Sequence, residues 1–66
     1  MKDTRVVEID VTVKVSTRMA LLVSDGKTQA WIPKSQISDW SPNTDNDLEI
    51  TSIFIPEWLA TEKDLV

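Results

Sequence analysis

Three groups of side chains in this sequence could do chemistry, and each points to a different kind. The tryptophans come first: "AWIPKSQISDW", residues 30–40, holds Trp31 and Trp40 on either side of a Pro-Lys-Ser-Gln turn, and Trp58 follows in the tail. The second group is "NTDNDLE", where Asn43, Asp45, Asp47 and Glu49 present an oxygen at every second residue. The third is cationic: Lys14, Arg18, Lys27 and Lys34 cluster around expected hairpin turns and could flank Trp31.

Each group also has a plainer reading. An indole buries about 150–250 Å², and a chain this small needs large apolar anchors, so Trp31 and Trp58 are expected to be structural. Trp40 sits between Asp39 and Ser41-Pro42 at a loop edge, where a solvent-facing indole can anchor an interface. The oxygen run resembles a calcium loop only loosely. It lacks the glycine of the sharp turn and a closing acidic residue at the right distance, so a solvated hairpin is the better account and no metal is expected. Cations around one indole would make a groove for single-stranded nucleic acid with a single stacking platform.

Charge weighs against that last option. The net charge is −4, with +2 on residues 1–34 and −6 on residues 35–66. Nucleic-acid affinity comes mainly from neutralising phosphates, which an acidic chain does poorly. Catalysis has little to work with. There is no histidine and no cysteine, so base and nucleophile would fall to carboxylates, lysine or serine. Lys34-Ser35 are adjacent but match no recurring base–nucleophile geometry, and no glycine-rich phosphate loop is present. The sequence reads as a non-enzyme without cofactors.

The elements that must position these groups read mostly as strands. In "VVEIDVTVKV", Val7, Ile9, Val11, Val13 and Val15 alternate with polar residues, the period-two pattern of a half-buried strand. Its length predicts a bend serving two parts of a small sheet or barrel. "RMALLVSDGKTQAWIP" reads as a hairpin about Asp25-Gly26, which contains the one glycine. A two-residue turn there sets Val23 opposite Thr28, Leu21 opposite Ala30 and Met19 opposite Ile32. Met19, Leu21, Val23, Ala30 and Ile32 then share the core face, and Trp31, opposite Ala20, lies on the other. Matching faces in the first hairpin requires Val15–Met19 and Val13–Leu21 pairs across a loop of three or five residues. Pro33 ends the second hairpin and "PKSQI" forms a single 3₁₀ turn. A short strand is expected within Ile37–Trp40. "LEITSIFI" is the last strand, with Leu48 and Ile50 inward and a bulge near Thr51–Ser52. The tail from Pro56 to about residue 65 is a short helix that must dock Trp58 and Leu59 to persist.

The segments "LLVSDGKTQAWIPKSQI" and "IPEWLATEKDLV" together resemble a family of small phage and prophage proteins. These combine an Asp-Gly turn, Trp-(Ile/Leu)-Pro-Lys-Ser-Gln-(Ile/Val) and a terminal Pro-Glu-Trp-Leu-Ala helix. The likeness covers most of residues 18–66 and implies a phage setting and a scaffold, but no activity. Family members have glycine late in the last helix where this chain has Asp64.

These readings give one domain over residues 1–66: a mainly β, antiparallel barrel or rolled sheet of four to five strands, SH3-like or OB-like, with a short C-terminal helix. The N-terminus lacks the apolar run of a signal peptide, so a cytoplasmic protein is expected, in the host cell if phage-encoded. The expected role is contact with another protein, as an inhibitor or modulator of a host or defence complex. Asp39, Trp40, Asp45, Asp47 and Glu49 would form the acidic contact surface. The alternatives are weak single-strand binding through Trp31, Lys14, Arg18, Lys27 and Lys34, and a homodimer through Trp58 and Leu65. No membrane partner is expected.

Overall fold

The structure, a computed structural model, describes residues 5–65. β1 (Val6–Asp10) and β2 (Thr12–Ser16) are the expected alternating run, broken at the buried Val11. The bend passes the chain from one sheet to another. β1 joins the sheet β1-β6-β5, and β2 joins the sheet β2-β3-β4. The remaining strands are β3 (Ala20–Ser24), β4 (Gln29–Pro33), β5 (Asp39–Ser41) and β6 (Ser52–Pro56), and the helix α1 covers Glu57–Glu62. Single 3₁₀ turns occupy Lys34–Gln36 and Asp47–Glu49. The result is six strands in two antiparallel sheets with a helix, not a closed barrel. The strand count exceeds the expected four to five because one long strand divides in two.

Between the sheets lies an aliphatic core. Ile32, Ile53, Ile55 and Val23 are its most completely buried large side chains. Leu59, Ala60 and Leu65 add the face of α1 and its exit. Full burial of each such side chain stabilises by about 1.5–3 kcal/mol. No aromatic residue belongs to this core. Phe54 is only half-buried.

Both hairpins depart from the expected register, for identifiable reasons. In the β3–β4 hairpin, the Asp25 carboxylate accepts from the backbone N–H groups of Lys27 (2.9 Å) and Thr28 (2.8 Å). Asp25 N–H in turn bonds the Thr28 carbonyl. The turn therefore centres on Gly26-Lys27, with Gly26 at φ +99°, one residue later than expected. Pairing slides by two, to Leu21–Ile32, Leu22–Trp31 and Val23–Ala30. A slide of two preserves parity, so Leu21, Val23, Ala30 and Ile32 still face the core. Met19 does not: it falls in the preceding turn and is 73% exposed.

In the β2–β3 hairpin the Thr17 hydroxyl oxygen accepts from the N–H groups of Met19 and Ala20, and Thr17 N–H bonds the Ala20 carbonyl. This closes a tight turn on Arg18-Met19, shorter than the predicted loop. The mismatch is absorbed inside β2. The register shifts between Val13 and Val15, leaving Lys14 as a bulge, so that Val13 pairs with Val23 and Val15 with Leu22. Val13 stays in the core, and Val15 turns out to solvent.

The last strand also differs. The Asn46 side chain accepts from Leu48 N–H and starts a 3₁₀ turn, so Leu48 is 60% exposed rather than inward. Ile50 remains buried, and strand pairing begins only at Ser52. The parity change expected as a bulge is a turn followed by a strand. α1 then ends in a defined stop. Asp64 N–H bonds the Thr61 carbonyl, Leu65 N–H bonds the Ala60 carbonyl, and Asp64 takes φ +60°. That pair of bonds around a left-handed residue is a Schellman motif, with Asp64 at the position glycine usually fills.

Candidate functional site

All three tryptophans lie at the surface: Trp31 is 46% exposed, Trp40 42% and Trp58 40%. Neither Trp31 nor Trp58 enters the core, and Trp31 lies on the non-core face that the alternation predicts. Isoleucine, valine and leucine fill the space between the sheets, and the alternation of β4 that buries Ala30 and Ile32 must turn Trp31 outward. The indoles occupy two separate regions.

The first is the expected acidic surface. Asp39 and Trp40 stand on β5, a three-residue edge strand paired to β6. The Asp39 carboxylate accepts from Trp40 N–H at 2.8 Å, and the Trp40 indole N–H donates to the Thr44 carbonyl at 3.3 Å. Behind Trp40 is a hollow of about 300 Å³ lined by Leu21, Ile37 and Ile50, with Lys34 and Asp47 also on its wall. Asp47 is not a free surface charge. Its carboxylate lies 2.9 Å from the Lys34 ammonium and accepts from the Ser16 hydroxyl at 2.6 Å. The Ser16 bond, followed by Lys34, holds its pKa below the ordinary carboxylate value. Glu49 accepts from the Thr44 hydroxyl at 2.9 Å. Asp45 is exposed. Thus Asp39, Trp40 and Asp45 are presented outward, and Asp47 and Glu49 stitch the chain to itself. Of the four oxygen-bearing residues in 43–49, Asp47 and Glu49 engage donors of the chain, and no three acidic side chains converge among the described residues.

The second region is an open groove of about 780 Å³. One wall is the β2–β3 turn and the end of β4, including Arg18, Met19, Trp31 and Pro33. The other is α1, with Trp58, Glu62 and Lys63. Beside it, pairing aligns Val15, Leu22 and Trp31 in one row across the outer face of the β2-β3-β4 sheet. Val15, Trp31, Met19 and Trp58 are all substantially exposed, and Met19, Trp31 and Trp58 line the groove.

This arrangement divides the expected nucleic-acid set. Trp31, Arg18 and Lys34 meet at the groove. Lys14 sits on β2, the far edge of the three-stranded sheet, and Lys27 at the opposite hairpin tip. The five do not make one basic track. The proposed dimer face changes as well, because Leu65 is buried under α1 and cannot meet a partner alongside Trp58. Sequence reasoning missed Met19 and Lys63 as surface groups of the groove. Lys63 was legible as a basic residue at the helix end, but its approach to Trp31 depends on tertiary packing.

No family model, curated protein or solved structure matches the chain. Among the described residues no helix is long and apolar enough to cross a membrane.

Proposed function

We propose that this protein is a non-catalytic interaction module that acts by contact with another protein. One observation carries the reading: the three tryptophans stand 40–46% exposed on strands and a docked helix, while aliphatic residues alone build the core. Indoles are costly to leave in water and are enriched among the residues that dominate interface energetics. The Trp31–Trp58 groove is the principal contact on this reading, and the Asp39–Trp40–Asp45 surface is a second, acidic one suited to a basic partner. The two-sheet roll then serves as an open relative of SH3-like or OB-like adaptor modules. In the phage setting that the sequence resemblance implies, the partner is a protein of the host cell or its defence machinery, inhibited or modulated by the contact.

Capture from bacterial lysate by the wild-type chain and by Trp31→Ala, Trp58→Ala and Trp40→Ala variants tests the reading. A partner held by the wild type and lost on truncating one indole, at unchanged unfolding midpoint, is the expected outcome. Identical capture by all four chains refutes it. Single-strand binding remains the second reading because Arg18 and Lys63 flank Trp31. Quenching of tryptophan fluorescence by oligonucleotides, saturable and salt-sensitive, separates it from the first.

A further inference from the structure

The four outer strands of the two sheets are not equally protected. β2 carries the Lys14 bulge and packs against the Asp47–Glu49 turn, tied there by Ser16 to Asp47. β5 is three residues long and begins with Asp39, and β1 carries Glu8 and Asp10. Bulges, covering turns, short length and charge are the usual devices that keep a strand edge from pairing with foreign chains. β4, "QAWIP", has five residues with no charge and no bulge, and pairs only with β3 among the described residues. Pro33 at its end is its sole guard.

The direction of the unused groups follows from the ladder. Lys34 N–H bonds the Met19 carbonyl, and Asp25 N–H bonds the Thr28 carbonyl. Bonded pairs recur every second residue in an antiparallel ladder, so Ala30 and Ile32 direct their backbone toward β3. Gln29 and Trp31 therefore direct N–H and C=O away from the sheet. Charge at the end of this strand leans positive. The groove at the end of β4 has Arg18, Lys34 and Lys63 against Glu62, and only Lys34 of these is in an ion pair among the described residues. A net-acidic molecule thus places a cationic rim beside its least protected edge.

We propose that β4 accepts an extended acidic segment of a partner protein as a fourth strand of the β2-β3-β4 sheet. This rests on the interaction-module reading and specifies its ligand. The Gln29 and Trp31 backbone groups supply the ladder bonds, Trp31 and Val15's row supply the apolar face, and Arg18 and Lys63 meet the segment's carboxylates. Uncharged edge, outward amides and cationic rim each select for one feature of that segment: extended, pairing-competent, acidic.

The probe is a displayed library of random twelve-residue peptides, selected on the full chain. Selection is expected to enrich alternating acidic and β-branched sequences. Their affinity should fall about ten-fold or more on N-methylation of Trp31, which removes one outward N–H without touching the β3 pairing. Arg18→Glu with Lys63→Glu should weaken them similarly. Slowed hydrogen exchange at the Gln29 and Trp31 amides of the unmodified protein reads the same contact independently of any variant. Absence of enriched peptides, a basic consensus, or binders indifferent to N-methylation overturns the proposal. So does self-association through β4 seen by sedimentation, or saturable binding of oligothymidylate in the same groove. If edge blocking is silent but Trp31→Ala abolishes binding, the strand inference fails and the interaction surface stands. If Trp31→Ala is silent too, both fail.

Discussion

Replacing Asp64 by glycine should make this protein more stable, and the structure gives both the sign and the size. Asp64 sits at φ +60° between the Asp64–Thr61 and Leu65–Ala60 hydrogen bonds that end α1. An L-residue pays roughly 1–2 kcal/mol in the left-handed region, with aspartate toward the low end because its short polar side chain tolerates it. A carboxylate at a helix C-terminus also opposes the dipole, by about 0.3–1 kcal/mol when exposed. Against these gains, glycine makes the unfolded chain more flexible, at about 0.4–1 kcal/mol. The balance is a stabilisation of about 0.5–1 kcal/mol, which in a domain of this size raises Tm by roughly 2–8 °C. Asp64→Ala separates the contributions, because it removes the charge but keeps the strained Cβ. It should be neutral or destabilising. Thermal and urea unfolding of the three chains is the assay. If glycine lowers Tm, or alanine stabilises as much as glycine does, the left-handed stop is not what limits α1 and the reasoning is wrong.

Two further perturbations test the register. Gly26→Ala forces an L-residue to φ +99°, but a Cβ there meets nothing within 4 Å. The cost is therefore purely conformational, about 1–2 kcal/mol, and equilibrium unfolding should show it without loss of the native far-UV spectrum; a neutral substitution would mean that the turn does not centre on Gly26-Lys27. Asp47 gives a pH signature. Its folded pKa lies below the ordinary 3.8 because Ser16 and Lys34 favour the carboxylate, so its contribution is complete above that value and fades as pH falls through the lower folded pKa. Asp47→Asn should cost up to about 1 kcal/mol at pH 7, the pair being about a third exposed. The gap from wild type should narrow as pH drops below about 4, measured by urea midpoints. A gap that widens in acid would place the carboxylate elsewhere.

Within β3 and β4 face assignment was legible in the sequence and register was not, while Val15, Met19 and Leu48, displaced by a bulge and turns, were misassigned. The two hairpins show why. Alternation of β-branched residues specifies which side chains share a side, because a slide of two changes every pair and no face. Which pairs form depends on local side-chain bonds: Asp25 capturing two amides moves one turn, and Thr17 capturing Met19 and Ala20 tightens the other. The bulge at Lys14 is the compensation, invisible until the turn is known. The same kind of bond, from Asn46 to Leu48 N–H, removed residues 47–49 from the last strand. At the candidate site, Trp40 at a loop edge was readable from its polar neighbours, and the exposure of Trp31 followed from parity. The groove was not readable. It joins Arg18 and Trp31 to Trp58 and Lys63, segments whose meeting depends on how α1 docks.

The aliphatic core sharpens the functional argument. In a chain this short, every large side chain kept out of the core is stability forgone, since small domains bury only about 60% of their unfolded surface. Three of four aromatic residues stand 40–46% exposed, each on an element with its own register constraint. Trp31 faces outward because Ala30 and Ile32 face inward. Trp40, by contrast, shares the face of its β6 partner Ile53, over the hollow lined by Leu21, Ile37 and Ile50, and stays partly exposed because β5 is a sheet edge. Trp58 stands where Leu59 and Ala60 take the buried side of α1. Packing thus turns Trp31 and Trp58 outward, and the edge position of β5 leaves Trp40 partly uncovered. What packing does not require of an indole, contact with something outside the chain can, and two of the three indoles border the one strand edge left uncharged.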